Sequence, residues 1–224
     1  MKTDYIFHDD AYKKRKVEGR QGWATQEQVD DYLSVLEKVL QTDYAPKRGK
    51  LLELGCGDGA NSLWLATRGY EVYGVDISPT AIEWAKEKAK ECAIEIDFRV
   101  GNVLNLQDYS DNLFDFVLDG HCFHCIISED RKLFLASALR VLKPEGLFHV
   151  CTMCGEVTNE EMKKHFDPQS RCIIYGQIAS RYIGVPEDIL AEIRDVGFQI
   201  LHFEIRPKKH QDDCDELWVA ATKQ

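Results

Sequence analysis

Proline and methionine are scarce in this chain, at 6 and 3 of 224 residues, and 15 glycines show no period. Collagen-like and low-complexity architectures are thereby excluded. Long apolar runs are also missing, and nothing approaches the roughly 18 consecutive residues a bilayer-spanning helix needs. Basic charge is short: 28 Lys and Arg stand against 38 Asp and Glu, a formal net charge of −10. Such a surface repels phosphate backbones and anionic bilayers, so neither nucleic-acid nor membrane partners are expected. The opening residues, Met1 to Asp10, lack the apolar stretch of a secretory signal. A cytoplasmic protein with reduced thiols is therefore expected, and its 8 cysteines are core residues, site linings or metal ligands.

What is present is a 44% hydrophobic chain of one-domain length. Val29, Tyr32, Leu33, Leu36, Val39 and Leu40 recur at helical spacing, and Thr25 with Gln28 forms a capping box. The preceding run Lys13-Lys14-Arg15-Lys16 reads as a solvated helical face. Leu51-Leu52-Glu53-Leu54 is a short buried-strand pattern that ends in Gly55-Cys56-Gly57-Asp58-Gly59. A helix over 61–67, a strand closing on Asp76, and a helix capped by Ser78 with Pro79 at its first position follow. Further strands are expected at 94–100, 114–119 and 147–151, with a helix between the last two capped by Ser128. The segment 152–185 is polar and irregular, an insertion placed to cover a substrate; helix 187–195 and strands 198–205 and 216–222 close the chain. Alternating strands and helices imply a doubly wound α/β fold around a mostly parallel sheet.

In such sheets ligands lie beyond the carboxyl ends of the strands where strand order reverses. Glycines at 55, 57 and 59 permit left-handed backbone and close approach of a ligand. Asp76, 21 residues beyond Gly55, is placed for both hydroxyls of a ribose. Gly55, Gly57 and Ala60 equally satisfy the dinucleotide pattern G-x-G-x-x-A, so the turn alone leaves an NAD(P)-dependent oxidoreductase open.

Three further features bear on the choice: Glu53 two residues before the first glycine, a fourth strand ending at Asp119, and the segment Val141 to Phe148 that breaks a helix into a fifth strand. Together these residues resemble the class I S-adenosylmethionine-dependent methyltransferases, whose E/D-x-G-x-G-x-G turn appears as Glu53 to Gly59. The resemblance implies seven strands, the last antiparallel, with helices on both faces and a helical cap over 1–48 preceding the domain at 49–224. It implies S-adenosyl-L-methionine as cofactor and a small-molecule substrate. It places Gly55, Cys56 and Gly57 against the methionine moiety, Asp76 on the ribose, Ile77 and Val103 beside the adenine, Asn102 on its amino group, and Asp119 and Gly120 near the methyl-bearing sulfur.

His121-Cys122-Phe123-His124-Cys125 follows the fourth strand and Cys151-Thr152-Met153-Cys154 follows the fifth. Strands about 4.8 Å apart would bring the two CxxC pairs to one pocket. Those four thiols could hold a metal, a thiophilic substrate or nothing, which leaves a noncatalytic metal or thiol sensor as a third reading. The 25 residues between Cys125 and Cys151 speak against a metal, and none is assigned. His121 and His124 are the candidate bases, and His149 reads as structural. Tyr5, Tyr12, Arg20 and Trp23 should cover the cofactor, with Tyr12 or Arg20 on its carboxylate, while Tyr175, Arg181 and Tyr182 are candidate substrate contacts. Sequence leaves the oligomeric state open.

Overall fold

The structure, a computed structural model, describes residues 3–208 and 214–223. Its centre is strand β1 (Gly49–Leu54), whose last four residues are all buried, as expected of a strand covered on both faces. It pairs in parallel with β2 (Tyr70–Asp76) on one side and β4 (Phe114–Asp119) on the other. Beyond β2 lies β3 (Asp97–Val100); beyond β4 lie β5 (Leu142–Cys154), β10 (Asp215–Lys223) and β9 (Phe198–Arg206). The resulting order, β3-β2-β1-β4-β5-β10-β9, reverses direction between β1 and β4, and β10 runs antiparallel to both its neighbours. The expected seven-stranded, doubly wound sheet with an antiparallel last strand is what the chain forms.

Alternation along β1 divides the core. Leu51 faces α2 (Gln26–Gln41) and α3 (Ala60–Ala66), whose Leu36 and Leu65 are fully buried. Leu52 and Leu54 face α5 (Asp130–Val141) and α7 (Pro186–Asp195) through Phe134, Leu135, Ile189 and Ile193. The capping box of Thr25 and Gln28 is formed, and α2 is one of the helices packed on the sheet. Helix α4 (Pro79–Glu91) begins as expected, with Ser78 Oγ accepting from the Ala81 N–H. No described helix is long and apolar enough to cross a membrane.

Three local expectations differ. Ser128 does not cap α5; it adopts a left-handed backbone, and the helix starts at Asp130 without a side-chain cap. The Lys143 to Gly146 break is a bulged part of β5, with Glu145 left-handed and the β4 register shifting there. Within 152–185 the chain forms a short helix, α6 (Glu160–Lys163), and a three-stranded antiparallel sheet of β6 (Phe166–Asp167), β7 (Cys172–Tyr175) and β8 (Ile178–Tyr182). The β7–β8 turn carries Gly176 at φ 64°, a two-residue hairpin signal that was present in the sequence.

Candidate active site at the sheet's switch point

Parallel β1, β2 and β4 end side by side, so their last carboxylates gather around the glycine turn. Gly55, Gly57 and Gly59 all adopt positive φ, at 66°, 54° and 80°. The Gly55 and Cys56 N–H groups both donate to Val75 O, which ties the turn to β2. Asp76 completes the tie: one oxygen accepts from the Gly57 N–H at 2.9 Å and the other from the Ser78 N–H at 2.8 Å. Each oxygen keeps a further lone pair for a ligand hydroxyl. Burial pushes the Asp76 pKa up, against the pull of those backbone bonds.

Glu53 points to the start of α3, accepting from Ser62 Oγ at 2.5 Å and Asn61 Nδ2 at 2.9 Å. Burial raises its pKa to about 7. Asp119 is wholly buried. Its Oδ1 accepts from the Cys122 and Phe123 N–H groups, whereas its Oδ2 has no partner. Burial raises the Asp119 pKa to about 6. The next residue must be glycine: a Cβ on Gly120 would stand 2.6 Å from Gly55 O and 2.8 Å from Leu54 O.

The amino-terminal segment lies across this turn. Helix α1 (Phe7–Val17) docks on the start of α4 through Asp9, which accepts from Ser78 Oγ at 2.6 Å and the Thr80 N–H at 3.0 Å. Buried Tyr12 holds its hydroxyl 2.5 Å from where a Gly57 Cβ would be, and Cys122 Sγ stands 2.7 Å from the equivalent point on Gly55. The Trp23 N–H donates to Asp58 at 2.6 Å, and Arg15 stacks on the Trp23 ring at 3.8 Å. Arg15, assigned by sequence to a solvated face, turns its buried, unpartnered Nε inward. Asp9, Tyr12 and Arg15 follow one another at three-residue intervals, a helical spacing that could have singled Arg15 out of the basic run. Arg20 instead pairs with Glu18 at 3.2 Å and is more than half exposed, so of the two residues expected at a cofactor carboxylate only Tyr12 reaches the turn.

Ile77 is half-buried beyond Asp76. Asn102 is exposed, and its side-chain oxygen accepts from the Leu104 N–H at 2.9 Å, while Val103 packs on the core beside it. Arg181 is near enough to His8, His124 and Cys125 for its charge to bear on each of them, and its Nε is buried without a hydrogen bond, whereas Tyr182 stacks on Arg131 and Tyr175 sits exposed at the hairpin. Tyr5 donates to Asp130 at 2.7 Å.

The expected convergence of four thiols does not occur. Cys151 and Cys154 are three apart on a strand and fall on opposite faces, Cys151 with Val35 and Trp218, Cys154 in the α5–α7 core. Cys122 points beneath Gly55, and none of the cysteines is in a disulfide. His124 is buried, its pKa held well below the ordinary value by burial and by His121. His121 has a left-handed backbone and turns toward β5 and β10, with Glu216 of β10 3.4 Å from its Nε2. His149 packs edge-on against Trp218. Tyr32 of α2 was missed as a site residue; its hydroxyl donates to Asp119 O at 3.1 Å.

The donor set can be tested against the two cofactors. Glu53, Asp58, Asp76 and Asp119 surround the turn, and the buried Asp119 Oδ2 lacks a donor. That field repels a diphosphate and suits a ligand bearing a sulfonium, an ammonium and a ribose diol. Fold and site define an open α/β protein whose strand-order reversal, with its glycine turn and gathered carboxylates, is the candidate ligand site. Residues 52–150 match the family described as "Methyltransferase domain". Over 97 residues the chain is 36% identical to a 2-heptyl-1-hydroxyquinolin-4(1H)-one methyltransferase of Mycobacteroides abscessus, covering 43% of this chain and 42% of that protein. The chain thus spans less than half of that relative. In architecture it is similar to a solved protein of Pyrococcus horikoshii (TM-score 0.72, 23% identity, 89% and 92% of the two chains). It is likewise similar to the Burkholderia thailandensis 1,6-didemethyltoxoflavin-N1-methyltransferase, solved with S-adenosylhomocysteine (TM-score 0.69, 18% identity, 100% and 92%). Residues 52–150, somewhat under half of the chain, thus match a methyltransferase domain, and the chain has the fold of the solved methyltransferase to which it is similar.

Proposed function

We propose that the protein transfers a methyl group from S-adenosylmethionine to a small-molecule acceptor. The observation that carries this reading is the unpartnered, buried Asp119 Oδ2 at the end of β4, within a ring of carboxylates around left-handed glycines. S-adenosylmethionine, when bound, supplies an electrophilic methyl on a sulfonium. The chain's part is to hold the ribose on Asp76, the adenine between Ile77 and Val103 with Asn102 at its edge, and the methionine moiety along Gly55 to Gly57 under Tyr12. Gly120 lets the β4 exit pass against the end of β1, and Asp119 just before it is our candidate for facing the sulfonium. Positioning and water exclusion supply most of the rate in such displacements. Tyr12, Trp23 and the 166–182 sheet exclude water.

Burial holds the His124 pKa well below its ordinary value, which favours the neutral imidazole, and its ring stands 4.8 Å from that of His121; this pair is our candidate for taking an acceptor's proton. Arg181, whose Nε is buried without a hydrogen-bond partner among the described residues, suits an anionic group on the acceptor. Calorimetric titration with S-adenosylhomocysteine tests the cofactor assignment. One site of micromolar affinity is expected; absence of binding, or preferential binding of NAD(P), overturns it.

A further inference from the structure

We propose that His121, Cys151 and Glu216 form a zinc site with one coordination position left open beside the acceptor. These three residues come from different elements, the β4 exit loop, β5 and β10. Among the described residues they are the group of three histidine, cysteine or acidic side chains whose ligand atoms gather, all within 4.8 Å of one another. The Nε2 of His121 is buried and makes no hydrogen bond. Its 3.4 Å separation from Glu216 Oε1 is close to that of adjacent ligands on tetrahedral zinc, given metal–ligand bonds of about 2.0 to 2.2 Å.

The backbone prepares this arrangement. Gly120 passes against β1, and His121 then takes a left-handed conformation, φ 66°, that carries the imidazole toward β5 and β10. Non-glycine residues in that region repay the strain when the surroundings require the geometry. Glu216 is oriented as well: its Oε2 accepts from Trp218 Nε1 at 2.9 Å, leaving Oε1 toward the imidazole. An oriented ligand of this kind is the usual support of a metal centre. Cys151 is fully buried on the same face, whereas His121 and Glu216 are each one-third exposed, so an ion can enter from their side.

The donor types select the ion. A thiolate, an imidazole and one carboxylate favour zinc over magnesium or calcium. Three protein ligands leave a tetrahedral ion one open position, the pattern of sites that bind a substrate atom. That position takes a soft or anionic heteroatom of the acceptor, a thiolate or an oxyanion; this last step rests on the methyl-transfer reading, whereas zinc binding itself does not. With His121 as ligand, His124 remains for the proton.

The test is titration of chelator-stripped protein with zinc against a chromophoric competitor, with cobalt substitution read by absorption. Wild type should bind one zinc per chain, and its cobalt form should show a thiolate charge-transfer band. Cys151→Ser should abolish that band, and Glu216→Gln and His121→Asn should each weaken zinc at least tenfold. Asparagine is chosen at 121 because it tolerates left-handed backbone. Glu216 is partly exposed, so its variant keeps the test valid even if Cys151→Ser fails to fold. Cys92→Ser and Cys125→Ser should retain zinc. Absence of stoichiometric zinc in wild type overturns the proposal, as does zinc that survives the Cys151→Ser and Glu216→Gln changes. S-adenosylhomocysteine titration of the same metal-free protein separates the two readings, since its failure would leave the zinc result standing.

Discussion

The two flanks of the switch point are built on opposite principles. On the β1–β2 side nearly every polar atom already has a partner: Asp76 bridges Gly57 and Ser78, Glu53 holds Asn61 and Ser62, Asp58 takes the Trp23 N–H and pairs with Lys88. On the β4–β5–β10 side, Asp119 Oδ2, His121 Nε2, His124 Nδ1 and the neighbouring Arg181 Nε are buried without one. Buried polar groups cost stability when unpaired, so the second flank is held in a form that a ligand would complete. The prewired flank fits the ribose and the glycine-turn contacts of the cofactor, and the unwired flank fits its sulfonium end together with the acceptor.

The contrast is broken most severely at Asp76. Asp76→Ala removes the ribose acceptor and releases both Gly57 and Ser78, and should weaken S-adenosylhomocysteine by roughly 100-fold, about 3 kcal/mol at two charge-assisted hydrogen bonds. Calorimetry checks this; normal binding by the variant would remove the turn from the cofactor site. Next is Gly57→Ala, which places a methyl group on left-handed backbone and against the Tyr12 hydroxyl. It should cost about 1–2 kcal/mol in denaturant unfolding and displace α1. Combining it with Tyr12→Phe should recover the clash but leave the backbone strain, so the double variant should fall between Gly57→Ala and wild type.

Much of this was legible before the fold. Strand β1, the glycine turn, Asp76, the Ser78 cap and the α2 capping box are local patterns, and each lies where its pattern placed it. What failed depended on where side chains point. Two cysteines in CxxC spacing share a face on a helix but split across a strand, and β5 runs through both Cys151 and Cys154. Glu216 was invisible because its neighbours arrive from β4 and β5, far apart in sequence. Arg15 was hidden in a basic run whose other members are exposed or ion-paired.

The pH dependence of stability sharpens the comparison by sign. Glu53 has a folded pKa of about 7 against an ordinary 4.5, so the folded state holds its proton where the unfolded chain has lost it. Its contribution is therefore complete below about pH 4.5 and is lost as pH rises to about 7. Asp119, raised to about 6, adds in the same direction. Asp9 works oppositely: its folded pKa is depressed by Lys13, Ser78 and Thr80, against burial, and its contribution disappears in acid. Half-buried His8 and buried His124 and His149, whose folded pKa values lie below the ordinary one, work against Glu53 and Asp119 over the same window, gaining stability as pH rises toward 6.5. The Glu53 contribution is therefore read as a difference: between pH 4.5 and 7.5, urea unfolding of Glu53→Gln should lose about 1–3 kcal/mol less with rising pH than wild type does, and identical pH profiles would mean that Glu53 titrates normally.

The smallest expected effect separates the two inward arginines. If Arg15 belongs to the wired flank and Arg181 to the unwired one, Arg15→Ala should weaken S-adenosylhomocysteine by about tenfold, one charge-assisted hydrogen bond. Arg181→Ala should change it by less than about threefold, because its charge bears on His124 and Cys125 and is not among the groups that shift Asp76. Arg15→Lys discriminates charge from shape. Lysine keeps the charge but loses the planar stack on Trp23, so retained affinity would assign Arg15 an electrostatic role, and lost affinity a positioning one through the lid. Equal losses from Arg15→Ala and Arg181→Ala would mean that both guanidiniums serve the cofactor, and the division between the flanks would then have to be redrawn at His124.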